Sequence, residues 1–374
     1  MRQRSVRRGA AVATALAGAG ALVLTARGTW EALGAAPAGG RARRLRRSPQ
    51  YADGAFRNRI PTRTLAKGQG WRMTREWVRG RRLPPGPVPV VSGPPVAEPA
   101  TDGLYVTWYG HSSALVEIEG CRVLVDPVWS ERCSPSPLLG PRRLHPNPVP
   151  LAGLPKLDAV VISHDHYDHL DAPTVRELVR LQPVPFVVPL GVGAHLERWG
   201  VPAARIVELD WDEHVTLAGV RLTPTEARHY SGRALTQNNT LWASWVLAGA
   251  ERRVFFSGDS GYCPGYAAIG AAHGPFDVTL MQMGAYGENW ADIHMTPEEA
   301  VIAHQDVRGG LFVPLHWGTF DLALHDWAEP ADRVRKAAAD SGVRLTVPRP
   351  GERVDADAPP EIDDWWQHLA DTIQ

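Results

Sequence analysis

The chain has 374 residues, of which 44% are hydrophobic and 21% charged, enough apolar sequence for a sizeable core and too much for global disorder. Its three cysteines, Cys121, Cys133 and Cys263, are too few and too scattered for a disulfide scaffold or a cysteine-based zinc module. The formal net charge is zero, but residues 1–82 carry 19 Lys and Arg against Glu31, Asp53 and Glu76, an excess of +16 that leaves the rest at −16; so acidic a body argues against nucleic acid as a partner.

At the N-terminus Arg2, Arg4, Arg7 and Arg8 precede an uncharged run from Gly9 to Ala26. This is the pattern of a secretory signal or signal anchor, with Gly34-Ala35-Ala36 available as a small-residue cleavage site. The expected location is membrane-associated and extracytoplasmic; an Ala-rich soluble helix is the alternative. Basic residues on both sides of the run leave orientation open. Two Gly/Pro-rich stretches, Ala36 to Gly40 and Pro84 to Pro99, read as linkers. Between them, Trp71 to Val78 suits either a short basic helix on an anionic membrane surface or packing onto the main body.

From Leu104 the texture changes. Apolar runs predict strands at Leu104–Tyr109, Ala114–Ile118, Arg122–Val125 and Ala159–Ile162. Further strands are expected at Phe186–Pro189, Val220–Thr225, Trp242–Leu247, Val254–Phe256, Val278–Met281 and Leu311–Leu315. Helices are expected at Pro173–Leu181, Pro297–Gln305 and Asp332–Asp340. Early strands follow one another and later ones alternate with helices, which points to packed mixed sheets with outer helices.

The predicted strand Val160-Val161-Ile162-Ser163 runs straight into His164-Asp165-His166-Tyr167-Asp168-His169. Three imidazoles and a carboxylate at H-x-H-x-D-H suit Zn²⁺, Fe or Mn²⁺ rather than Ca²⁺ or Mg²⁺. So dense a cluster suggests two metals, and six residues cannot supply both shells. His229, Asp259 and His316 each stand just after a predicted strand and are candidates for the remainder. Taken singly, each is more often an ordinary core or loop residue.

Together these residues resemble the metallo-β-lactamase fold superfamily, over roughly residues 100–350. The resemblance implies an α/β fold, a four-layer αββα sandwich with metals at the sheet edge. It implies one metal on His164, His166 and His229, and a second on Asp168, His169 and His316. Asp259 bridges, and so does a water. A narrower resemblance is to the N-acyl-phosphatidylethanolamine-hydrolysing phospholipase D branch. It rests on Ser48-Pro49-Gln50-Tyr51, Trp108 to Ser113, His229 to Arg233, Gly258 to Tyr262, His294 to Ala300 and Pro314 to Phe320. The implied layout is a leader at 1–36, a basic arm at 37–100, a hydrolase domain at 101–354 and a tail at 355–374.

Two zinc ions would suit phosphodiesters and lactones alike. Asp168 could orient the nucleophile as well as bind metal. His294 precedes Thr296-Pro297-Glu298-Glu299, which reads as an N-cap, a Pro at the first helical position and acids in the first turn. That puts His294 in a loop, facing substrate or bonded to backbone. His111 and Tyr167 are further candidates for substrate or ligand support. His145, His195, His214, His273, His304, His325 and His368 lack such context and read as structural or exposed. Three functions compete: a membrane-associated phospholipid phosphodiesterase, a hydrolase of a small lactone or ester, and a non-catalytic metal-binding relative.

Overall fold

The strand Cys121–Val125 illustrates how the sheets arise. Cys121, Val123 and Val125 point into one apolar cluster and Leu124 into another. Ala159–Val161 repeats the pattern, with Ala159 and Val161 on the first side and Val160 on the second. A strand buried on both faces needs a layer on each side, and the period of two allots residues to both.

The computed structural model describes residues 27–64, 83–93, 101–233 and 236–369. Two seven-stranded sheets face each other. The first runs in the order Arg353–Asp355, Leu104–Gly110, Ser113–Ile118, Cys121–Val125, Ala159–Val161, Phe186–Pro189 and Ile206–Leu209. Its pairs are antiparallel up to Cys121–Val125 and parallel beyond. The second runs Arg344–Leu345, Gly309–Leu315, Phe276–Gln282, Arg253–Phe256, Ser244–Ala248, Val220–Thr225 and Val215–Leu217. Here the parallel pairs come first and the antiparallel ones last. Helices Ala172–Leu181 and Gly193–Arg198 cover the outer face of the first sheet, where Val175, Leu178 and Leu196 meet Leu124, Val160 and Ile162. Gly265–His273, Pro297–Asp306 and Glu329–Ser341 cover the second. The expected four-layer αββα sandwich is the observed architecture.

Several short elements escape the sequence reading. Ile206–Leu209, Val215–Leu217 and Arg353–Asp355 are edge or near-edge strands of three or four residues, mostly half-buried. So little burial leaves no periodic signal. The expected strand at Trp242 begins at Ser244, because Trp242 instead turns its indole N–H onto the Ala227 carbonyl. Ala36 to Gly40, read as a linker, runs into the helix Gly39–Leu45, whose Arg41 is held by Glu208 and Glu197. A Gly-rich start hides a helix that acidic partners on the body stabilise. In the segment read as a tail, Trp365 and Trp366 are buried against Trp317, which stacks on Trp108.

The expected leader Gly9 to Ala26, the segment Trp71 to Val78 and residues 94–100 lie outside the described residues. Among the described residues no helix is long and apolar enough to cross a membrane.

Candidate metal centre

Every residue of the expected ligand set stands where a strand ends. Ala159–Val161 leads through Ile162 and Ser163 into the turn His164 to His169. The turn is closed by the Leu170 amide donating to the His166 carbonyl (2.8 Å). Asp171 then caps the helix Ala172–Leu181 through the Thr174 amide. His229 lies four residues past Val220–Thr225, Asp259 three past Arg253–Phe256, and His316 directly after Gly309–Leu315. The His229 loop is joined to the Asp259 loop by the Gly261 amide donating to the Arg228 carbonyl (2.9 Å). Gly261 has no substitute there: a Cβ would fall 2.0 Å from the Asp292 carbonyl oxygen. His111, Asp126 and His316 all carry left-handed backbone, at φ of 52°, 38° and 67°. Such backbone is uncommon outside glycine, and Asp and His are among the residues that accept it most readily.

Asp259 is the hub. Its Oδ2 lies 3.0 Å from His316 Nε2 and 3.1 Å from His169 Nε2. His294 Nε2 stands at 3.7 Å, and the Nε2 atoms of His164 and His229 at 3.9 Å. On one side His166 Nδ1 stands 2.8 Å from His164 Nε2 and 3.3 Å from His229 Nε2. On the other, Asp168 Oδ2 stands 3.4 Å from His316 Nε2 and 3.5 Å from His169 Nε2. His111 donates to the same Asp168 oxygen at 2.9 Å.

The donors fit metal ions rather than one another. His229 Nδ1–H donates to the Ile293 carbonyl (3.0 Å), so Nε2 carries a lone pair. His169 Nδ1–H donates to Asp126 (2.7 Å), freeing its Nε2 in the same way. The Ser163 hydroxyl donates to Asp126 and accepts from His164 Nδ1–H (2.9 Å), which fixes a third tautomer. With its Nδ1–H so engaged, the Nε2 of His169 faces Asp259 Oδ2 at 3.1 Å, so a proton or a metal ion must stand between them. Among the described residues, His169 Nε2, His316 Nε2 and Asp259 Oδ1 are buried and make no hydrogen bond. A cation between them removes both the repulsion and the desolvation cost. The donors fall into two main groups, His164/His166/His229 and Asp168/His169/His316 with His111, and Asp259 also groups with His164 and His169 and with His229 and His294.

The profile of the β-lactamase superfamily domain matches residues 121–317, more than half of the chain. The chain belongs to the metallo-β-lactamase superfamily. It is 50% identical over 367 residues to the protein Rv0906 of Mycobacterium tuberculosis, covering 96% of this chain and 98% of that one. It is 38% identical to N-acyl-phosphatidylethanolamine-hydrolyzing phospholipase D 1 of Caenorhabditis elegans over 247 residues, 63% of this chain and 69% of the nematode one. The metallo hydrolase Igni18 of Ignicoccus hospitalis shares the fold, with a TM-score of 0.53 at 23% identity over 68% of this chain and 98% of that one. The protein is a metal-dependent hydrolase of this superfamily.

The centre of this metallo-β-lactamase-superfamily hydrolase opens into a cavity of about 410 Å³. His166, Asp168, Asp259 and His294 form its floor, with Tyr167 beside them. Trp290, Ile293 and Leu322, which belong to one apolar cluster, line it together with Thr64, Thr236 and Gln237. His294 thus faces the cavity instead of serving only its own loop. Its helix starts as expected, with a reciprocal Thr296–Glu299 capping box and Pro297 in the first turn.

Several supporting residues carry no local signal in the sequence. Asp126 braces His169 and Ser163, yet reads only as the residue after an apolar run. Arg233 is buried, donates to the Asp165 and Leu170 carbonyls (2.7 Å each) and lies 4.1 Å over the Tyr167 ring. His195, read as structural or exposed, contacts Asp165 through Nε2 (3.2 Å) while its Nδ1 accepts from the Ala35 amide (2.9 Å). Cys263 is no nucleophile: burial pushes its thiol up to about 11.

Protons compete with metal here. Burial opposes charge on His316, but Asp259 and Asp168 outweigh it and raise the imidazole to about 9. His169 is raised too, by Asp259 and Asp168 against the same burial. In the metal-free protein both hold protons below their raised values, and metal must displace them. Affinity should therefore rise with pH toward 9 and fall on acidification, by about one to two orders of magnitude per pH unit between pH 8 and pH 6. Calorimetry in buffers of different ionisation enthalpy measures both the affinity and the protons released. A pH-independent affinity refutes the competition.

Proposed function

We propose that the protein is a dinuclear zinc phosphodiesterase of the phospholipase D type, acting on N-acyl-phosphatidylethanolamine or a related phospholipid. The observation that carries the reading is the pairing of two donor groups around Asp259 with a cavity lined by both apolar and polar side chains. The 38% identity to the nematode phospholipase D supports the substrate class. Iron or manganese would also fit the donor set.

His164, His166 and His229 would hold one ion, Asp168, His169 and His316 the other, with Asp259 shared. Such ions supply Lewis acidity and lower the pKa of a water at the centre. The rest falls to the chain's own groups. Asp126 and Ser163 fix the tautomers of His169 and His164. His111 orients Asp168 by donating to one of its oxygens. Trp290, Ile293 and Leu322 offer a surface to an acyl chain and exclude water from one side of the scissile group. His294 is placed to donate a hydrogen bond to a phosphate oxygen. The basic excess of residues 1–82 and the run Gly9 to Ala26 support an anionic membrane surface as the partner and an extracytoplasmic, membrane-associated location.

One experiment tests both parts. Metal-loaded protein is incubated with vesicles of bacterial lipid extract and, separately, with a lactone panel. Products are followed by mass spectrometry, and the vesicles are floated to recover bound protein. The expected outcome is a phosphatidic acid product and co-flotation at low salt. Rapid lactone opening with every phosphodiester left intact replaces this reading with that of a small-ester hydrolase.

A further inference from the structure

The arm before the domain reaches the metal centre. Its two-stranded turn, Tyr51–Ala52 with Ala55–Phe56, is anchored by Phe56, which is fully buried and donates its amide to the Asn238 carbonyl (2.8 Å). Three residues beyond Phe56, Arg59 lies over the Trp211 ring and pairs with Glu226. Between these anchors stands Asn58. Its amide Nδ2 donates to the His229 carbonyl (2.7 Å), and its Oδ1 accepts from the His229 amide (3.1 Å). Both backbone polar groups of His229 are thus held by one side chain 171 residues earlier in the chain.

The segment continues along the same side. The Arg63 amide donates to Asp292 (2.8 Å), the Pro61 carbonyl accepts from Arg228 (3.0 Å), and Thr64 lines the cavity. Arg228 and Ile293 are the neighbours that fix the His229 backbone and ring. The arm therefore fastens the His229 loop at Arg228 and at His229 itself, and the neighbouring loop at Asp292.

We propose that Asn58 is a positioning residue for the metal centre. It sets the backbone of His229 so that the imidazole Nε2 meets the lone pairs of His164 and His166. The Gly261 bridge holds Arg228, and at His229 itself this bidentate amide contact satisfies both backbone polar groups. The inference rests on the reading of His229 as a metal ligand.

The test is metal retention by full-length chains dialysed against graded chelator, with far-ultraviolet circular dichroism as the fold control. Asn58→Ala should release its first ion at a chelator activity about 10–100-fold lower than the unaltered chain, with the second ion unmoved. The d–d absorption of the cobalt-substituted protein should shift as one site changes geometry. Arg44→Ala breaks an arm contact to Glu213, away from the centre, and should leave both ions in place. Asn58→Asp keeps the acceptor, replaces the donor by a carboxylate oxygen set against the His229 carbonyl, and should loosen the same ion. Unaltered retention in both Asn58 variants overturns the proposal, as does equal loss in Arg44→Ala or failure of both Asn58 variants to fold. His229→Ala, run in parallel, separates the underlying reading: if it releases no ion, His229 is not a ligand, whatever Asn58 does.

Discussion

Asp259→Ala should cost the protein both metal ions, and its hydrolytic activity with them. Five imidazole nitrogens lie within 3.9 Å of Asp259 Oδ2, which places this one carboxylate between both donor groups. Burial disfavours charge on Asp259, yet His169 and His316 hold its carboxyl well below the usual carboxylate range. It is therefore an anion at every working pH. Removing it leaves Asp168 as the one carboxylate of the proposed ligand set, on one side of the centre, and the His164/His166/His229 group with imidazoles alone to hold a cation. Elemental analysis should find less than about half an ion per chain, and turnover should fall by roughly 10³-fold or more, since the ions supply most of the rate enhancement. Asp259→Asn, which keeps the shape without the charge, should lose nearly as much. Two retained ions in Asp259→Ala would mean that the two groups bind independently and that Asp259 is no bridge.

His294→Ala should lose about two orders of magnitude in kcat while keeping both ions, about what removing one hydrogen-bond donor aimed at developing charge costs. Its side chain retains 13% exposure toward the cavity, whereas those of His164, His169, His229 and His316 are sealed. Burial lowers the His294 imidazole to about 4, although Asp259 pulls it upward. It is then neutral near pH 7 and acts by donating a hydrogen bond, not by surrendering a full proton. An interaction that strengthens as charge builds on phosphate acts on the transition state, so kcat should fall more than KM rises. His304, which reads as a structural residue, makes a poor control because it is buried and bonded to Thr279. Gln305, exposed on the same helix, should tolerate alanine. Loss of one ion from His294→Ala would make this residue a ligand; unaltered turnover would return it to its loop.

The sequence by itself determined the turn His164 to His169, because it follows an apolar run that reads as a buried strand, and the family resemblance then singled out His229, Asp259 and His316 among residues that stand after later runs. The helix opened by Thr296 and Pro297 was legible for a related reason: caps are local, and residues three apart settle them. The same runs pointed to packed mixed sheets with outer helices, and the four-layer order came from the resemblance to the metallo-β-lactamase superfamily. What surrounds the metals was not legible. Asp126, Arg233, His195 and Asn58 reach the centre across separations of 43, 68, 30 and 171 residues, and no periodicity marks a contact of that kind. Nor did the sequence show that the basic arm, at residues 37–64, folds onto the acidic body. Arg41 meets Glu208 and Arg59 meets Glu226 only once the tertiary structure brings opposite charges together. Local patterning sets which residues leave a strand toward the metals. Tertiary packing decides which distant hydrogen bonds then hold them there, because their free energy is realised only when the two sheets have closed.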